Sequence, residues 1–246
     1  MRRLVVIALI AALIVLAGAA AAVVLLYRAS QEVPDFYREA SALNPESIDA
    51  KSDEMIDRAT GLHNSVVTEG RWRSEFNADV INAWLTVDLP KNHEQSLPAG
   101  MSDPRVGIRQ DELTVGCKIT RGAFHGIVWI DLGISMVAPE RSEANDKPAG
   151  EGKIAATARP AQIAVRIHKA RLGSIPWPLD NIIRSISDAA RLNEIQVDWE
   201  QDHGDPVALI TMPTKMLRHG QHVRLDTIHL EPGKIVVAGT TERDKL

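Results

Sequence analysis

The stretch Leu172-Gly173-Ser174-Ile175-Pro176-Trp177-Pro178, followed directly by the segment 179–192, marks the point where the periodicity of the chain changes. From Leu179 onward the apolar residues recur with the i, i+3, i+4, i+7 spacing of one helical face. Pro176 and Pro178 cannot donate hydrogen bonds to a strand ladder, so they place a turn before the helix. Since most of the surrounding sequence is typical of strands, we predict that this amphipathic helix is the central element on which the sheet packs.

The segments on both sides of this helix alternate apolar and polar residues with a period of two. One group of alternating segments lies within 103–170 and a second within 195–238. Short strands joined by polar turns, with one inserted helix, predict an α+β fold with a curved, mostly antiparallel β-meander.

The first 27 residues differ from the rest in composition. Leu4 to Tyr27 carries no charge, and about 20 apolar residues are enough to cross a bilayer as a helix. Arg2 and Arg3 precede the run, which favours a cytoplasmic N-terminus. We therefore predict a transmembrane anchor at 1–27 that contacts the bilayer through residues 4–27. The alternative is a cleaved signal peptide, because Ala17-Gly18-Ala19 offers an A-x-A-like site.

The remaining chain is long enough for one domain and a connecting segment. Asn44-Pro45 is a typical helix start, and apolar residues from Ile48 to Val66 follow one stripe. We predict a juxtamembrane helical stalk at 28–68 and an extracytoplasmic α+β domain at 69–246. The alternative for the 44–66 helix is that it docks on the domain.

The charge argues against nucleic-acid binding, and the cysteine content excludes an intrachain disulfide. The chain has 28 basic and 32 acidic residues, a formal net charge of −4, whereas nucleic-acid binding needs a concentrated basic face. Cys117 is the only cysteine, so an intrachain disulfide is impossible. Cys117 has the parity of Leu113, Val115 and Ile119, and we interpret it as a core residue.

No motif in the sequence indicates catalysis. His219 and His222 are three residues apart, with Asp226 and His229 downstream, but no H-E-x-x-H or C-x-x-C motif accompanies them, and we predict neither a metal nor a cofactor. Asp202-His203-Gly204-Asp205 has the composition of a turn. G-x-S-x-G, P-loop and dinucleotide motifs are missing, so we do not predict an enzyme. A hydrolase with dispersed catalytic residues is a weaker alternative.

The main candidate site is apolar. A sheet curled around an amphipathic helix can leave a groove of the kind that binds apolar ligands. The candidate ligand-binding residues lie in the opening stretch and on the helix: Ile175, Trp177, Ile182, Ile183 and Ile186. The alternative is a closed core, in which the helix fills the concave face of the sheet.

Three parts of the sequence resemble a known family. They are the segment 72–85, the L-G-x-x-P-x-P pattern at 172–178, and the final pair of strands near 223–226 and 235–237. This order resembles the YpmS-like family of single-pass bacterial envelope proteins of unknown function, which is similar to tubular lipid-binding domains that hold acyl chains. The resemblance implies a periplasmic domain attached to the inner membrane and carries over no catalytic residue. The loops at 90–102 and 139–152 depart from the pattern.

Two functional hypotheses follow from these observations. The first is a membrane-anchored binding or structural domain of the cell envelope, which binds lipid or another apolar ligand between sheet and helix. The second is a closed-core envelope scaffold that acts through contacts with other envelope proteins.

Overall fold

The computed structural model describes residues 2–93, 96–122, 124–137, 162–192, 195–211 and 221–243, with the backbone alone at 2–14, 121, 189 and 221. The predicted loop at 139–152 lies outside these residues. The helices are α1 Arg2–Ser30, α2 Asp35–Ser41, α3 Ile48–Val66, α4 Ala78–Asn92 and α5 Leu179–Leu192. The strands are β1 Gly70–Asn77, β2 Met101–Arg109, β3 Glu112–Arg121, β4 Phe124–Val137, β5 Gln162–Leu172, β6 Ile175–Pro176, β7 Val197–Asp202, β8 Asp205–Thr211, β9 Gln221–Glu231 and β10 Lys234–Arg243.

The strands form two antiparallel sheets. The larger has the order β2-β3-β4-β5-β8-β7, and the short β6 pairs with the end of β5. The smaller has the order β1-β10-β9. The predicted α+β class with mostly antiparallel strands is therefore confirmed. The prediction placed the strands in one curved sheet, but the strands after α5 divide between two sheets.

The smaller sheet is joined to α3 through a buried polar chain. The Trp72 indole N–H donates to Thr241 Oγ1 at 3.2 Å, and the Thr241 hydroxyl donates to the Val66 carbonyl at 2.7 Å. Leu230 and Val236 are buried on the same sheet. These contacts fix α3 against β1 and β10.

The edge strand β2 joins the larger sheet to α4 and to the smaller sheet. The Asn82 side chain, on α4, donates to the Val106 carbonyl and accepts from the Val106 amide, both at 2.8 Å. The Gly233 amide donates to the Ile108 carbonyl at 3.0 Å. These side-chain and backbone bonds occupy groups that an open sheet edge would leave unpaired.

The prediction that the sheet packs on α5 as its central helix is wrong. The predicted bounds of the helix are confirmed, but α5 makes no extensive contact with any strand in the described part of the chain. One tertiary contact of α5 is the hydrogen bond from the Trp199 indole N–H to Ser187 Oγ, 2.9 Å long. Helical spacing determines which residues share one side of a helix, but it does not determine which surface covers that side.

The prediction of a transmembrane helix, and with it the single-pass inner-membrane localisation, is also contradicted. Within the residues that the structure describes, no helix is long and apolar enough to cross a membrane.

The C-terminal end of α1 is docked on the stretch that opens the sequence analysis. The Ser174 amide and hydroxyl donate to the Ala29 carbonyl at 3.0 and 3.2 Å, and Ser30 is buried. Gly173 turns the chain with a φ of 58°, a left-handed conformation that favours glycine. A Cβ at Gly173 would lie 2.8 Å from the Ser30 carbonyl oxygen, so the close approach also requires glycine.

The segment predicted as a stalk contributes two helices that contact the strands. Phe36 and Tyr37 of α2 are buried with Ile127 against the larger sheet. Phe36 lies over Gly116, where a Cβ would be 2.8 Å from its ring. Asn44 Oδ1 accepts from the Glu46 amide at 3.0 Å, and α3 begins only at Ile48, three residues after the predicted start.

Candidate functional site

The candidate site is one face of the larger sheet, which we call the apolar face. Strand register places apolar residues side by side: Leu113 pairs with Leu132, Ile134 with Val165, and Ile163 with Ile210. All of these residues are only partly buried. The apolar face comprises Leu113, Val115, Cys117, Val128, Ile130, Leu132, Ile134, Met136, Ile163, Val165 and Ile210.

The residues named above are partly buried, whereas Ile167 and Ala170, which pair with Leu132 and Ile130 on the same face, are buried. None of its aliphatic side chains is among the exposed large hydrophobic residues, such as Leu192 and Ile195. The buried core formed by Phe36, Tyr37 and Ile127 lies on the opposite face, beneath α2. The named residues of the apolar face therefore keep part of their surface accessible to solvent.

Cys117 belongs to this face. It pairs with Val128 in the β3–β4 register and is partly buried. Burial raises the pKa of its thiol, so the protonated, apolar form is favoured. A thiol in this state contributes to the apolar surface and is a poor nucleophile.

Two of the predicted ligand-binding residues, Ile175 and Trp177, lie beside the end of β5. Ile175 pairs with Leu172, and the Trp177 amide donates to the Ala170 carbonyl at 2.8 Å. The three isoleucines of α5 are partly buried like the other two residues, and α5 makes no extensive contact with any strand among the described residues. They are Ile182, Ile183 and Ile186.

The residues that the sequence-based site omitted are those of the apolar face itself. Their alternation was visible in β3, β4 and β5 as a signal for strands. Alternation alone predicts a shared face, but it does not show whether another element covers that face. It is the pairing of the strands that brings these residues together as the apolar face.

The polar motif at 202–205 forms a turn between two strands. Asp202-His203-Gly204-Asp205 is the β7–β8 turn, with φ of 53° at His203 and 92° at Gly204. These positive values are typical of a two-residue hairpin loop, so the predicted turn is confirmed. His168 Nδ1 lies 3.1 Å from Asp205 Oδ2.

The histidines near β9 do not form a metal centre in the part of the chain that the structure describes. His219 lies outside that part, and His222, Asp226 and His229 lie on β9. Among the described residues, no group of three or more His, Cys, Asp or Glu side chains could hold a metal ion. Asp226 instead accepts from Thr240 at 2.7 Å and from Arg224 at 2.6 Å.

Comparison with known proteins gives no relative. The chain matches no protein-family model, no curated protein and no solved structure. The resemblance to the YpmS-like family stays a prediction from short motifs.

Proposed function

We propose that the protein binds a lipid acyl chain on the apolar face of the larger sheet. The observation that carries the proposal is the set of partly buried aliphatic side chains that strand pairing places side by side on β3, β4, β5 and β8. A solvent-accessible aliphatic surface of this extent is typical of a site that binds an apolar ligand.

The dimensions of the face fit a chain-like ligand. Val128 and Met136 are eight residues apart on β4, which corresponds to about 26 Å at about 3.3 Å per residue. Half of the hydrocarbon core of a bilayer, the depth of one leaflet of acyl chains, is about 15 Å. An extended acyl chain can therefore lie along β4 with its full length in apolar contact.

The chemistry of the face also favours an acyl chain over a polar small molecule. Its side chains are aliphatic apart from the Cys117 thiol and the Met136 thioether, so they provide no charged group that would orient a polar ligand. Each buried methylene contributes about 0.8 kcal/mol, so ten methylenes contribute about 8 kcal/mol before the cost of association. An association cost of about 4 kcal/mol leaves a net free energy of about 4 kcal/mol, which corresponds to a dissociation constant near 1 mM.

The experiment compares two neighbouring residues that point to opposite faces of β4. The full chain, freed of bound lipid, is titrated with a fluorescent fatty acid, and the same is done for Ile134→Asp and Ser135→Asp. Ile134 lies on the apolar face, whereas Ser135 is exposed on the other face. We expect Ile134→Asp to weaken binding at least tenfold and Ser135→Asp to leave it unchanged.

Far-ultraviolet circular dichroism checks that both variants fold. If Ile134→Asp unfolds, Ile134→Trp is used instead, since it occupies the face without adding a charge, and it should also weaken binding. Equal binding by the wild-type and Ile134→Trp proteins, or no saturable binding to the wild type, would refute the proposal. A stable complex with another protein that Ile134→Trp disrupts, without any fatty-acid binding, would support a scaffold in its place.

A further inference from the structure

A pocket of about 250 Å³ lies on the opposite side of the larger sheet from the proposed acyl-chain site. The connection between α1 and α2 forms one wall, and the sheet forms the floor. The lining residues used below are Phe36, Thr114, Trp129, Asp131 and Lys169. The pocket shares no residue with the apolar face, so it is independent of the proposed function.

The floor of the pocket contains a carboxylate that is removed from solvent. The Asp131 side chain is 2% exposed. Its Oδ1 accepts from the Thr114 hydroxyl at 2.6 Å, and its Oδ2 lies 2.8 Å from Lys169 Nζ. A carboxylate offers about four acceptor positions, so these two partners leave about half of its capacity for another donor.

The cation that neutralises Asp131 is held less firmly than the carboxylate. The Lys169 side chain is 49% exposed, and its ammonium lies 5.6 Å from the centroid of the Trp129 ring. A flexible lysine can rotate into water, whereas Asp131 cannot leave the floor of the pocket. Removal of the lysine without a replacement would leave a buried unpaired charge, which is strongly unfavourable.

The aromatic side chains complete the chemistry of a cation site. Trp129 and Phe36 lie with ring centroids 6.0 Å apart, and both line the pocket. An aromatic face attracts an ammonium group, more strongly when water is excluded. The arginines of the same pocket, Arg38 and Arg109, are paired with Asp35 at 3.2 Å and Glu112 at 3.3 Å.

From this arrangement we propose that the pocket binds a small primary amine. The ligand's ammonium takes the place of the Lys169 ammonium between Asp131 and Trp129, and its short alkyl stem lies against Phe36. Lys169 occupies the site in the absence of ligand and competes with it. The recognised chemistry is a primary ammonium on an aliphatic stem.

The test uses n-butylammonium as the probe and the full chain as the protein. Binding is followed by the NMR shift of the Trp129 indole N–H, which is assigned by its loss in Trp129→Phe. We expect saturable shifts in the wild type and at least tenfold tighter binding in Lys169→Met, because the internal competitor is gone. Butyrate, with the same stem and the opposite charge, should cause no saturable shift.

Two aspartate variants provide the matched controls. Asp131→Asn keeps the size of the side chain and its acceptor for Thr114, and it should weaken butylammonium binding at least tenfold. Asp205→Asn removes a partly exposed carboxylate on another part of the sheet and should leave binding unchanged. The proposal is overturned if Lys169→Met shows no saturable shift, or if Asp131→Asn, folded by circular dichroism, binds as tightly as the wild type.

Discussion

Replacement of Gly173 by alanine tests whether the C-terminal end of α1 is an integral part of the domain. The residue has a φ of 58°, and a Cβ there would overlap the Ala29 carbonyl oxygen and lie 2.8 Å from Ser30 carbonyl atoms. Backbone atoms cannot move aside as a flexible side chain can. The variant must therefore displace the end of α1 or distort the turn.

The expected cost has two parts. The left-handed conformation costs an alanine about 1–2 kcal/mol relative to glycine. Displacement of α1 also removes the two hydrogen bonds from Ser174 to the Ala29 carbonyl, worth about 0.5–1.5 kcal/mol each. We expect Gly173→Ala to lower the free energy of unfolding by about 2–5 kcal/mol.

Gly122 is a matched control for the backbone part of this cost. Its φ is 64°, and a Cβ there would have no neighbour within 4 Å. Urea denaturation followed by tryptophan fluorescence should therefore show a loss of about 1–2 kcal/mol for Gly122→Ala. Hydrogen exchange of the Ser174 amide should accelerate only in Gly173→Ala. If the two variants lose the same stability and protect that amide equally, α1 is not held by this turn.

Two further predictions concern buried polar groups. Thr241→Val leaves the Trp72 indole N–H and the Val66 carbonyl without this shared partner, and it should lower the free energy of unfolding by about 2–4 kcal/mol in urea denaturation; a loss below 0.5 kcal/mol would contradict the structure. Burial raises the pKa of Asp103, but the hydrogen bond from Lys118 and neighbouring positive charges lower it more, so its net pKa lies below the ordinary 3.8. This carboxylate therefore contributes stability that is present above its unfolded-state pKa and is lost as the pH falls through its lower folded-state pKa. Asparagine tolerates the φ of 52° at position 103. The Asp103→Asn variant should therefore show a free energy of unfolding that depends less on pH between about pH 2 and 5, the range in which aspartates usually titrate. An unchanged pH dependence in this range would refute the prediction.

Local patterns in the sequence predicted several elements with their bounds. The helix 179–192 follows from its apolar spacing, and the β7–β8 turn follows from Asp202-His203-Gly204-Asp205. These features depend on interactions between residues that are close in the chain, which the sequence displays directly.

The candidate site was predictable only in its chemistry. The sequence indicated an apolar surface and placed it at Ile182, Ile183 and Ile186, because those residues form the clearest stripe. In the structure these residues are partly buried, and a second set of partly buried aliphatic residues lies on β3, β4, β5 and β8. An amphipathic pattern specifies a face but not its partner, so the choice between the two surfaces depended on the tertiary arrangement.

The segment from Leu172 to Pro178 shows the same division. By itself the sequence determined that the strand ends here and a helix follows, because proline removes ladder donors and glycine permits a left-handed turn. Only the tertiary structure decided that this turn receives the end of α1, that β7 and β8 join β5, and that β9 and β10 pair with β1. Those contacts join residues far apart in the chain, and their geometry depends on how all the strands pair at once.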